Sequence, residues 1–126
     1  MGDLSKITRA MLRRAVLRIE GSAAKTGFEI HPEDLILASY PKSGNTWIRF
    51  IVTALLISEA PSFEAVERQT IDAHKVSARR LRKIDPPRII KTHASYCNAM
   101  VRVLYIVRDP RDVCVSYFHY LQKRGR

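Results

Sequence analysis

The run LILASYPKSGNTWIRFIV, residues 35–52, narrows the fold of this chain more sharply than any other stretch. Leu35-Ile36-Leu37-Ala38-Ser39 suits a short buried strand and passes into a polar knot, Tyr40-Pro41-Lys42-Ser43-Gly44-Asn45-Thr46. The knot opens into a helix expected from Thr46 to Ser58, whose apolar face is Trp47, Phe50, Ile51, Ala54 and Leu55. Pro61 closes it. A strand, a tight polar loop and a helix, in that order, begin a parallel crossover unit.

Two further strands fit the scheme. RIIKTH, residues 88–93, follows Pro86-Pro87, and VRVLYIVR, residues 101–108, is aliphatic enough to suit burial on both faces. DPRDVCVSYFHYLQKR then starts a helix, with Asp109 at the N-cap, Pro110 at N1 and Asp112 at N3, near the positive end of the helix dipole. Val113, Val115, Phe118 and Leu121 supply its apolar surface. Residues 62–85 are polar and basic and read as helical or loop-like. Ahead of the first strand, Leu4, Ile7, Met11, Ala15 and Ile19 fall on one stripe of a basic amphipathic helix. Docking of that stripe on the domain is preferred to a membrane surface. The expected fold is α/β, three layers around a parallel sheet. Residues 1–33 form the amino-terminal helix and connector, and residues 34–126 the sheet-bearing part.

In such a sheet, ligands bind beyond the carboxyl ends of the strands, where the knot sits. A helix N-terminus carries unsatisfied N–H groups and partial positive charge, so it favours an anion. Gly44 lets the backbone curl, Lys42 adds a full charge, and Ser43 and Thr46 add hydroxyl donors. A phosphate or sulfate group suits every one of them. A plain turn capped by Ser43 or Asn45 explains Lys42 and Thr46 less readily. Trp47 is placed to stack on a base or to fill core. Arg108, at the end of the third strand, can grip a phosphate bidentately over the same rim, with Ser116 two turns into the next helix. From spacing alone, Arg108 pairs equally well with Asp109 or Asp112. His93, at another strand's carboxyl end, is a candidate general base.

Charge agrees with an anionic partner. The 126 residues include 22 Lys plus Arg against 12 Asp plus Glu, a net charge of +10. Length allows one domain with its own core. Cys97 and Cys114 are read as reduced thiols of a cytoplasmic protein. No uncharged run approaches the roughly 20 residues that cross a bilayer. The basic amino terminus lacks a signal-peptide core, which argues against secretion.

Three segments in this order resemble the sulfotransferases that use 3′-phosphoadenosine-5′-phosphosulfate (PAPS). SYPKSGNTW is similar to the family's 5′-phosphosulfate loop, commonly Y-P-K-S-G-T-T-W. RIIKTH is similar to the strand carrying its catalytic histidine, and RVLYIVRDPRDVCVSYFHY to its 3′-phosphate segment. The resemblance covers about residues 34–120 and implies the P-loop-like sulfotransferase fold, here incomplete. It implies that Lys42 stabilises the leaving group and that Ser43, Gly44, Asn45 and Thr46 cradle the 5′-phosphate. Trp47 would stack near adenine, while Arg108 and Ser116 would bind the 3′-phosphate. His93 would take the proton of a small acceptor's hydroxyl or amine, with Lys91 as a supporting cation. PAPS is the co-substrate implied, and no metal.

Two departures stand out. Asn45 replaces a common Thr, and KTHASY replaces K-T-H-L-P on the acceptor side. Family members are about twice this length and end with a basic glycine-rich segment, R-K-G-x-x-G, over the 3′-phosphate. The chain is therefore expected to be an amino-terminal portion that binds PAPS weakly and transfers sulfate poorly or not at all. A sheet lacking later strands has an edge open to self-association or a second chain. Two rival classes remain. A P-loop small-molecule kinase should carry a triphosphate-type loop and a magnesium-binding Asp, neither of which is visible. A basic module for nucleic acid or membrane should bind arbitrary DNA with steep salt dependence. No recognition-helix or stacked-aromatic signature supports specific nucleic-acid binding.

Overall fold

A computed structural model describes residues 29–125. The helix expected over residues 4–20, with most of the 1–33 segment, lies outside them. Four parallel strands form one sheet in the order β2-β3-β1-β4: β1 (Leu35–Ser39), β2 (Ile71–Asp72), β3 (Ile89–Thr92) and β4 (Arg102–Ile106). The helices are α1 (Asn45–Ile57), α2 (Phe63–Gln69), α3 (Ala78–Leu81) and α4 (Pro110–Lys123). The α/β class and parallel sheet are as the sequence implies. β2 is an addition, because two residues are too few to leave a periodic signal within the polar 62–85 stretch.

β1 is central. It pairs Leu35 with Ile89 of β3 on one side and with Arg102 of β4 on the other. Ile36 and Ala38 pack with Ile90, Ala73, Leu81 and Met100, while Leu37, on the opposite face, is fully buried. Parallel pairing in this register brings Ser39, Thr92 and Ile106 to one rim. That rim carries the loops that matter.

Three burial expectations are corrected. α1 turns Asn45, Arg49 and Thr53 inward, whereas Trp47 is 76% and Leu55 78% exposed, with Ile51 also exposed. Arg49 explains the inversion. Its guanidinium reaches between α1 and α2 and donates to Thr70 Oγ1 at 2.7 Å, Thr70 O at 3.3 Å and Glu67 Oε1 at 2.9 Å. Trp47, Ile51 and Leu55 are left without cover among the described residues, while Phe50 meets the Phe63 ring edge-on at 4.8 Å. β4 is likewise not buried on both faces. It is an edge strand with Val103, Leu104 and Tyr105 exposed, and Val107 beyond it is 76% exposed. On α4 only Val113 is buried, while Val115 and Phe118 are exposed. The outer side of β4 is unpaired among the described residues.

Candidate functional site

The loop from Tyr40 to Gly44 is a tight turn with the Ser43 N–H donating to Tyr40 O at 3.2 Å. Two of its residues lie in the left-handed region, Lys42 at φ +70° and Gly44 at φ +99°. For lysine that conformation is costly, and such outliers concentrate where a loop is shaped for a ligand. Gly44 is the N-cap residue of α1, and no side chain caps this helix end. The capped-turn reading with Ser43 or Asn45 is thereby set aside. The first N–H groups of α1 face the rim with the dipole's positive end and no acidic residue in the first turn.

A Cβ built at residue 44 would meet no atom within 4 Å, so the glycine serves backbone conformation and not space. Gly44→Ala is expected to destabilise the domain by about 1–2 kcal/mol, the cost of holding an L-residue in this region. The check is a lowered urea midpoint at unchanged m-value. An unchanged midpoint would show that the turn relaxes freely.

Arg108 reaches this loop. Its Nη1 donates to the Lys42 carbonyl at 3.2 Å, across 66 residues of sequence. Its Nε also lies 3.7 Å from Asp112 Oδ2, so the pairing anticipated from spacing is present too. Both side chains of that pair are largely exposed, and such a bridge is worth about 0–1 kcal/mol. A phosphate can displace it. Asp109 instead caps α4, accepting from the Arg111 N–H at 2.9 Å and from the Arg111 guanidinium. Ser116 is half-buried one turn beyond Asp112, on the α4 face shared with Val113 and Tyr120. The Lys42 ammonium sits 5.0 Å from the centre of the Tyr120 ring. Thr46 and Trp47 are exposed on the first turn of α1, whereas the Asn45 side chain is buried beneath it.

A second cluster forms where β1, β2 and β3 end. His93 Nδ1 lies 2.7 Å from Ser39 O and 3.3 Å from Ser39 Oγ. A carbonyl oxygen only accepts, so Nδ1 carries the proton and Nε2 keeps its lone pair, the form a general base requires. The His93 N–H donates to His74 Nε2 at 3.1 Å, and the two rings stack at 5.4 Å. Lys91 is held by Asp72, with Nζ donating to Oδ2 at 3.1 Å. Burial first, then the Lys91 charge and to a smaller degree His74, push the His93 pKa down to about 4. The Ser39 carbonyl and Asp72 oppose the shift. Burial and Lys91 lower His74 as well, against Asp72.

Ser39, Asp72 and His74 were not singled out from sequence. Ser39 reads as an ordinary strand terminus, and Asp72-Ala73-His74 follows a strand too short to notice. The only available hint was two chemistry-bearing side chains so close together in DAH. Overall, the structure joins Lys42, Gly44 and Arg108 in one loop pair. It gathers His93 and Lys91 beside them through β1 and β3.

These donors suit an anionic ligand with two separated negative ends: an uncapped helix N-terminus with Lys42 for one, Arg108 for the other. The comparisons agree. Residues 32–125 match the family described as "Sulfotransferase domain". Luciferin sulfotransferase of Photinus pyralis is 32% identical over 128 aligned positions, covering 74% of this chain and 34% of that protein. Sulfotransferase 6B1 of Mus musculus is 34% identical over 110, covering 77% and 35%. Flavonol 3-sulfotransferase of Flaveria bidentis is 31% identical over 114, covering 76% and 36%. The chain thus spans about a third of the length of the curated relatives it matches. With the matched region running through β1, its polar loop and α4, this chain belongs to the sulfotransferase domain family.

Proposed function

We propose that this chain forms the donor-binding part of a PAPS-dependent sulfotransferase and carries its general base. One observation supports it above the rest, the 3.2 Å bond from Arg108 to the Lys42 carbonyl, which makes the two anion-binding loops neighbours. The first N–H groups of α1, Ser43 and Thr46 hold the 5′-phosphate. Arg108 and Ser116 hold the 3′-phosphate, and the exposure of Trp47 supports its stacking on adenine. Gly44 and Asn45 contribute backbone N–H groups. The donor, when bound, supplies the sulfuryl group.

His93 Nε2 takes the proton from the acceptor's hydroxyl or amine as that atom bonds to sulfur and the bond to the phosphate oxygen breaks. Lys42 moves from the Tyr120 ring to the oxygen that gains negative charge. Lys91 stays with Asp72 and acts by its field on His93. Names such as luciferin and flavonol among the relatives support a small organic acceptor.

The test is calorimetry of adenosine 3′,5′-bisphosphate binding to the chain. Arg108→Ala is expected to lose about 1.5–3 kcal/mol, the worth of a hydrogen bond to a charged group. Affinity unchanged by the substitution would remove Arg108, and with it the paired grip, from the donor site.

A further inference from the structure

Asn45 opens α1, yet its side chain turns away from the helix end. It is 5% exposed, and its Nδ2 donates to Leu37 O at 3.1 Å and to Ser39 Oγ at 3.0 Å. Leu37 O can only accept, so the amide nitrogen and not the oxygen must face β1. Asn45 Oδ1 is left buried with no partner among the described residues, a cost to folding that a purely structural residue would avoid. Beyond Ser39 lies His93, whose Nδ1 touches both the hydroxyl and the carbonyl of that serine. One hydroxyl therefore separates the first residue of the phosphate-loop helix from the ring of the base.

The geometry points to Asn45 as a positioning residue for His93, acting through Ser39 to hold the Nδ1–H tautomer. The reasoning follows proton by proton. Asn45 Nδ2–H occupies one lone pair of Ser39 Oγ and cannot accept, so the hydroxyl proton is turned elsewhere. The remaining lone pair then faces His93 Nδ1–H, reinforcing the carbonyl beside it. Without the amide, the hydroxyl is free to rotate and donate its own proton to Nδ1. That exchange favours the Nε2–H tautomer, whose Nε2 has no lone pair for an acceptor's proton. The Asn45 backbone, meanwhile, sits in the uncapped first turn of α1. The residue ties the anion-binding end of the helix to the base, one by its main chain and the other by its amide. Among the described residues, His74, Lys91 and Asp72 are the charged and titratable groups that act on the ring.

This inference rests on the proposed function, and its test separates the tautomer link from the donor site. Nitrogen-15 NMR of the imidazoles in the 126-residue chain, at a pH where His93 is neutral, reports the tautomer directly. Wild type is expected to show mainly Nδ1–H. Asn45→Ala is expected to lower the Nδ1–H to Nε2–H ratio roughly fivefold, the equivalent of one neutral hydrogen bond. Ser39→Ala, which removes the intervening hydroxyl, should make the Asn45→Ala change silent when the two are combined. A His93 spectrum unchanged in Asn45→Ala, with circular dichroism intact, overturns the proposal. Should Asn45→Ala fail to fold, Asn45→Leu, which keeps side-chain volume but lacks the amide, is read in its place with the same two outcomes. Adenosine 3′,5′-bisphosphate binding is measured on the same samples. A tautomer shift without nucleotide binding upholds the Asn45 link and sinks the donor site. Binding without a shift does the reverse.

Discussion

Asp34→Ala is expected to destabilise the domain by about 3–5 kcal/mol, the effect of stripping one partner from a buried ion pair. Asp34 and Arg88 stand just before β1 and β3, so their pairing clamps the start of two neighbouring strands. Asp34 Oδ1 accepts from Arg88 N–H at 3.0 Å and from Nε at 3.0 Å, while Oδ2 accepts from Nη2 at 2.6 Å and from the His31 N–H at 2.8 Å. Arg88 further donates to Leu81 O at 3.0 Å and Glu29 O at 2.9 Å. Alanine at 34 would strand a guanidinium that is only 7% exposed. Against a typical domain stability of about 5–15 kcal/mol, that loss is a large fraction, and at the low end of the range it leaves little fold. A urea titration reads it. A loss below about 1 kcal/mol would mean that water reaches Arg88.

Acid should expose the same pair. Burial alone would raise the Asp34 pKa, but the Arg88 side-chain bond, the two backbone N–H bonds and the Arg88 charge hold it below its ordinary 3.8. The folded state therefore binds that proton less readily than the unfolded chain. Its contribution is complete above pH 3.8 and is lost as pH falls through the lower folded value.

His93→Gln, made in a protein that includes the rest of the sulfotransferase domain, is expected to cut transfer by about 10²–10⁴-fold, the usual worth of a general base. Retained nucleotide affinity would confine the loss to proton transfer. The imidazole is also expected to titrate near pH 4 by NMR in the free chain. Because the shift is downward, native His93 stays neutral where an unfolded histidine would charge. Its contribution to stability is thus full above pH 6.5 and is lost as pH falls toward 4. Two phosphate groups bound nearby oppose the Lys91 charge, so adding adenosine 3′,5′-bisphosphate should move the midpoint upward. A midpoint at 6.5, insensitive to the nucleotide, would place the ring in open solvent and end its candidacy as the base.

β1, the polar loop and the start of α4 were legible because their signals are local. An aliphatic run ends at Ser39, one glycine allows the turn, and Asp109-Pro110 begins a helix in any context. Other features were not local. The apolar spacing of Trp47, Ile51 and Leu55 is real, yet which face of α1 is buried depends on Arg49 finding Glu67 and Thr70 in the next helix. The aliphatic run of β4 likewise identifies a strand without revealing its place at the sheet edge.

The same division holds at the site. Residue types alone determined that Lys42, Gly44 and Arg108 could serve an anion, because charge, backbone freedom and donor geometry belong to the side chains themselves. Only the folded chain decided that Arg108 meets the Lys42 carbonyl and that His93 Nδ1 meets the Ser39 carbonyl. Those contacts bridge 66 and 54 residues of sequence, and parallel pairing around β1 is what carries the strand ends to one rim.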